Sequence, residues 1–159
     1  MWRPAWSDVE PGAPALRYSA CMSESDSDTD DLSQPTAYEL LGGDARVREL
    51  VDRFYDLMDL EPAYRELRAV HGTTLEEARD KLYWFLSGWL GGPNLYIERF
   101  GHPRLRARHM PFPIGIRERD QWLGCMDQAM AETGVSPDLV PRLQKAFFQT
   151  ADWMRNQGV

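Results

Sequence analysis

The residues with most chemistry to offer lie in Gly101-His102-Pro103-Arg104-Leu105-Arg106-Ala107-Arg108-His109-Met110-Pro111-Phe112. One histidine ends a short basic run, and Pro111 and Pro113 close it. Proline lacks a backbone N–H and biases its predecessor away from helix, so a helix through residues 105–109 must stop there. An imidazole on such a truncated turn, beside apolar Met110 and Phe112, suits the role of an axial metal ligand. Taken alone, the pattern fits an ordinary surface histidine in a basic loop better. A zinc pair of His102 and His109 is the weaker reading, because only three histidines exist and neither cysteine is near. His102-Pro103 reads instead as a loop element that sets the approach to the short helix.

Length and composition bound what such a ligand could serve. The chain has 159 residues, a 43% hydrophobic share and 11% aromatics, which suffices for one well-filled core. A net charge of −7 argues against nucleic acid as a partner. Cys21 sits in a polar tail and Cys125 on an apolar stripe, so an internal disulfide is not expected and a reducing compartment is. There is no apolar run of membrane-spanning length and no secretory pattern at the N-terminus, and a cytoplasmic protein without a membrane partner is expected.

The elements that must position these residues are helical. Residues 1–35, with the alternating acid and hydroxyl run Ser23-Glu24-Ser25-Asp26-Ser27-Asp28-Thr29-Asp30-Asp31, are expected to form a disordered acidic extension. It reads as dispensable, with an interaction or phosphorylation tail as the other reading. Residues 36–159 form the domain. Thr36 and Glu39 have capping-box spacing, and Gly42-Gly43 breaks the first short helix. Val47, Leu50, Val51, Phe54, Tyr55, Leu57 and Met58 recur at helical spacing up to Pro62, which places Tyr55 in the core with a hydroxyl that needs a partner. Residues 63–70 form another short helix. The next begins after Thr73-Thr74, with Glu76 and Glu77 where the helix dipole favours acid, and Gly91-Gly92-Pro93 ends it. After a short piece over residues 95–100, Trp122, Cys125, Met126, Ala129 and Met130 mark a helix ended by Gly134. Ser136 and Pro137 read as the cap and first position of the last helix. No strand alternation appears, so the class is all-α.

Three segments together carry a resemblance: Gly91-Gly92-Pro93, the Gly101–His109 stretch quoted above, and Arg119-Asp120-Gln121-Trp122-Leu123-Gly124-Cys125-Met126. They closely resemble the group II truncated haemoglobins, over roughly residues 38–153 and most specifically over residues 84–126. The resemblance implies a two-over-two helical sandwich around haem b, with His109 as the proximal iron ligand. It implies Tyr55 and Trp122 as hydrogen-bond donors on the distal side, with His71 at the family's variable distal polar position. Ala78, where classical globins usually carry a histidine, and neighbouring Leu82 would border the ligand. Lys81 and Arg108 would face the haem propionates. Phe85, Leu86, Phe112 and Met126 are wall candidates, each serving equally well as plain core.

The function so implied is reversible binding of O₂ and other diatomic ligands, with distal donors slowing release. The alternative is haem redox chemistry on peroxide, nitric oxide or oxygen, with an unidentified reductase. A non-haem helical interaction module is the remaining rival. A homodimer is expected from the resemblance only.

Overall fold

A computed structural model describes residues 34–158. The expected disordered extension therefore lies, apart from its last two residues, outside the described residues, as does Cys21. The described residues are helical and contain no strand.

Helix α1 (Ala37–Leu41) is fastened by the expected capping box. The Glu39 amide donates to Thr36 Oγ1 at 3.1 Å, and the Thr36 amide donates to Glu39 Oε1 at 2.9 Å. Gly42, with φ 121°, ends it in a conformation that L side chains rarely adopt. Helix α2 (Asp44–Leu60) buries the whole periodic set from Val47 to Met58, Tyr55 included. A 3₁₀ turn (Pro62–Tyr64) and α3 (Arg65–Ala69) follow, then α4 (Glu76–Trp89), α5 (Leu95–Phe100), α6 (Leu105–His109), α7 (Ile116–Glu132) and α8 (Val140–Trp153).

Two boundaries differ from expectation. Helix α4 has Leu75 at its N-cap and no side-chain cap, although Glu76 and Glu77 occupy the first turn as predicted. Helix α8 starts at Val140, three residues beyond Pro137. Ser136 and Pro137 belong to a lead-in turn in which the amides of Leu139 and Val140 donate to the Ser136 carbonyl at 2.9 and 3.1 Å. The reason is that a second proline, Pro141, also satisfies the first-turn preference for a residue without an N–H.

Helix α2 packs against α4 on one side and α7 on the other, and α7 pairs with α8. These four long helices form two layers. Phe54, Leu50, Leu57, Met58, Leu86, Met126, Met130 and Leu143 fill the space between them and are fully buried. Burying each such side chain contributes about 1.5–3 kcal/mol before the cost of ordering it. Ion pairs stitch the rim. Arg79 of α4 reaches Asp52 (3.1 Å) and Asp56 (2.9 Å) of α2, and Arg119 of α7 reaches Asp152 of α8 at 2.5 Å. The short helix α5 packs against α4.

Candidate functional site

Helix α6 is one turn long and buries none of its residues, so packing alone cannot hold it. Side chains that reach backbone carbonyls do this instead. Arg108 Nε–H donates to the Pro103 carbonyl at 2.9 Å, gripping the turn from its own start. Arg106 donates to the carbonyls of Trp153 and Arg155 (3.1 Å for the latter), tying the turn to the end of α8. Asn156 Nδ2 donates to the carbonyls of His109 (3.1 Å) and Phe112 (2.8 Å), while its Oδ1 accepts from the Ile114 amide at 3.1 Å. The His109 carbonyl, at the end of α6, thus accepts from the C-terminal segment as well as from the Phe112 amide.

These contacts fix His109. Its Nδ1 lies 2.7 Å from the Leu105 carbonyl, and a carbonyl can only accept, so Nδ1 carries the proton. The tautomer leaves the Nε2 lone pair exposed for a ligand. Burial holds the imidazole pKa below its ordinary value despite the Leu105 bond, so the ring is neutral near pH 7, the form that ligates a metal. Among the described residues no three His, Cys, Asp or Glu side chains cluster where they could hold a metal ion. His109 therefore suits an iron that arrives with most of its ligands in place, as a haem iron does.

The other expected site residues fall into groups. Tyr55 is buried, and its ring meets Phe54 edge-on at 5.0 Å and His71 at 6.0 Å. Phe54 also touches Trp122 at 5.2 Å, so α2 and α7 bring Tyr55 and Trp122 around one phenylalanine, with His71, just after α3, on the far side of Tyr55. Burial raises the Tyr55 pKa well above the ordinary phenol value, and the hydroxyl keeps its proton. Among the described residues no hydrogen-bond partner takes up the Tyr55 hydroxyl or the Trp122 indole N–H, so both donors are available. His71 repeats the arrangement at His109: its Nδ1 lies 3.0 Å from the Leu67 carbonyl, and burial lowers its pKa. In that neutral tautomer His71 Nε2 accepts and does not donate.

Lys81 and Arg108 come to a shared aromatic cluster. The Lys81 ammonium is 5.9 Å from the Phe100 ring, the Arg108 guanidinium is 5.9 Å from Tyr96, and those two rings are 4.9 Å apart. Lys81 also pairs with Glu77 at 2.5 Å. Among the wall candidates, Leu86 and Met126 are fully buried in the core, and Phe85, Ala78 and Leu82 line its edge. Phe112 stands 45% exposed beside Met110.

Sequence reasoning missed Asn156, Arg106 and Arg79. The first two position His109. Arg79 carries its guanidinium 5.8 Å from the Tyr55 ring while bound to Asp52 and Asp56. No local motif marks them, since each acts on a residue more than twenty positions away.

The sequence pattern of the bacterial-like globins matches residues 36–156. The group 2 truncated hemoglobin YjbI of Bacillus subtilis is 40% identical over 120 residues, covering 76% of this chain and 88% of that one. A group II 2-on-2 hemoglobin from Agrobacterium tumefaciens superposes with a TM-score of 0.76 at 45% identity, covering 79% of this chain and 97% of that chain. The group II truncated hemoglobin of Bacillus anthracis gives 0.74 at 39%, covering 80% and 96%. An all-helical layered fold of this pattern is that of a haem-type globin. This chain belongs to the bacterial-like globin family, among its group II truncated haemoglobins, and haem is the cofactor of that family.

Proposed function

We propose that the chain holds haem b through His109 and reversibly binds O₂ and other diatomic ligands opposite it, with Tyr55 and Trp122 as donors to the bound ligand. The observation that carries the reading is the locked His109 tautomer, with Nδ1–H spent on the Leu105 carbonyl and Nε2 left as a lone pair. Haem supplies the iron that takes the ligand. Lys81 and Arg108 would pair with its propionates, and Leu82, Phe85, Leu86, Met126 and Phe112 would supply apolar walls. Ala78 contributes no polar group and leaves the rim open.

Bound oxygen carries partial negative charge, so O–H and N–H donors aimed at it stabilise the liganded state as an oxyanion hole does. A hydrogen bond to a charged group contributes about 1.5–3 kcal/mol, which is one to two decades in a rate of release. The oxygen avidity named for the related Bacillus subtilis protein fits this arrangement. His71, whose ring meets Tyr55 edge-on at 6.0 Å, would act on that donor by packing and leave the Tyr55 proton for the ligand.

A visible absorption spectrum of purified full-length protein, followed by O₂ dissociation in a stopped-flow instrument, tests the reading. The expected result is a five-coordinate ferrous spectrum and slow release. A protein that takes up no haem would reduce the fold to a helical interaction module.

A further inference from the structure

The aromatic side chains form an ordered series. Starting at Tyr55, each ring contacts the next in the order Phe54 (5.0 Å), Trp122 (5.2 Å), Phe147 (5.4 Å) and Trp89 (5.1 Å). It continues through Phe85 (6.4 Å), Tyr96 (6.3 Å), Phe100 (4.9 Å) and Trp84 (5.7 Å). Every oxidisable ring, Tyr or Trp, is separated from the next by a single phenylalanine. The series begins among the proposed distal donors, crosses the core through fully buried Trp89, and ends at half-buried Trp84 beside Phe100, which is 42% exposed.

Core packing explains rings in contact but not two further features. The Trp89 indole N–H is buried with no hydrogen-bond partner, which costs stability. An indole that has lost an electron there has no acceptor for its proton, so the vacancy must be refilled from a neighbouring ring. At the far end the Arg99 guanidinium lies 4.5 Å from the Trp84 ring. Asn94 Oδ1, buried and without a partner, borders a small cavity open to solvent between Trp84 and Tyr96. A cation above an indole, beside a small cavity lined by Asn94 and Tyr96, suits an anionic aromatic donor.

We propose that this ring series conducts single electrons inward from Trp84, making the Arg99–Trp84–Asn94 surface an oxidation site for anionic phenols when the pocket is supplied with hydrogen peroxide. The proposal rests on the haem reading above. Each peroxide takes two electrons and two protons and breaks its O–O bond to give two waters. The electrons leave the Tyr55–Trp122 end one at a time and are replaced through Trp89 and Tyr96. At Trp84 two phenols each lose one electron and one proton, giving two phenoxyl radicals and the two protons that peroxide consumed.

The test uses the full-length haem-loaded protein, limiting hydrogen peroxide and a nitroso spin trap, with adducts mapped by peptide mass spectrometry. Wild type should carry adducts at Trp84 and Tyr96. Trp89→Phe should lower the Trp84 adduct several-fold and shift labelling toward Tyr55 and Trp122. Tyr96→Phe is a second break in the series should the first variant fold poorly. Oxidation of a sulfonated phenol tethered to a soluble polymer, too large for the pocket, should fall several-fold in Trp84→Phe and Arg99→Gln. Trp84 labelling that is indifferent to both breaks would overturn the conduit while leaving haem binding intact. If the chain takes up no haem, azide radicals generated by pulse radiolysis still decide the matter. Passage of the vacancy from indole to phenol rings, at a rate independent of protein concentration and slowed by Trp89→Phe, would uphold the conduit. Rates unchanged by the substitution would sink it.

Discussion

The two sides of the proposed haem are held by different physics. On the distal side Tyr55 belongs to the seventeen-residue α2, which buries seven side chains and is clamped by α4 and α7. On the proximal side His109 ends a five-residue helix with no buried residue, secured by Arg106, Arg108 and Asn156 through backbone carbonyls. The distal geometry is thus set by many weak contacts that share any loss. The proximal geometry depends on a handful of polar bonds, each worth about 0.5–1.5 kcal/mol net from Asn156 and about 1.5–3 kcal/mol from the charged arginines. Mutations should expose this asymmetry as a separation between haem retention and fold stability.

The largest effect is expected at His109 itself. His109→Ala should lose or severely loosen haem, His102→Ala should retain it, and added imidazole should restore a spectrum by filling the vacated position. A normal five-coordinate ferrous spectrum in His109→Ala would refute the assignment. Next comes Asn156→Ala, which removes the donors to His109 and Phe112 together. Two bonds at the values above amount to about 1–3 kcal/mol, so haem transfer to a scavenger protein should speed about tenfold or more. The far-UV melting temperature of the haem-free chain should shift little, because α6 puts only the partly buried Leu105 against the core. Equal losses in both measurements would mean that α6 is part of the cooperative core, and the comparison would fail.

On the distal side, Tyr55→Phe and Trp122→Phe keep the packing and delete one donor each. Each should raise the O₂ dissociation rate about tenfold or more, and the double variant should fall short of the product if both donors serve one network. Rapid dissociation in wild type that neither change affects would remove the proposed network.

How far all this was legible in the sequence follows from the same asymmetry. Packing has a period, so the stripe from Val47 to Met58 placed α2, and Gly42, Gly91 and Gly134 marked helix ends correctly. The break at Pro111 and Pro113 bounded α6, and the motif around His109 led to the family. Bonds from a side chain to a distant carbonyl have no period and no motif. Asn156 acts on a residue 47 positions away and looks in the sequence like any polar terminus. The start of α8 was misplaced because Pro137 and Pro141 offer the same local signal, and only tertiary packing chooses between them. The alternation of phenylalanine with Tyr and Trp was invisible for a related reason: its members come from α2, α4, α5, α7 and α8.

The smallest predicted effect concerns His71, the histidine packed against Tyr55. Burial lowers its pKa first, opposed by the Leu67 carbonyl, with Arg68 and His109 also disfavouring the charge. The unfolded chain, with an ordinary histidine pKa of about 6.5, therefore binds the proton more readily than the folded one. Stability then rises with pH wherever the unfolded state holds more protons. The contribution of His71 is thus present above about pH 6.5 and lost as pH falls below it. His71→Gln keeps a polar group but no titration, so urea unfolding between about pH 7 and pH 5 should show a shallower pH dependence than wild type. The same substitution bears on the ligand. If His71 acts on Tyr55 only through ring packing, His71→Gln leaves the Tyr55 proton free for the ligand, and O₂ release should change less than in Tyr55→Phe. A change as large as that of Tyr55→Phe would make His71 a direct donor to the ligand and reverse the tautomer seen at Leu67.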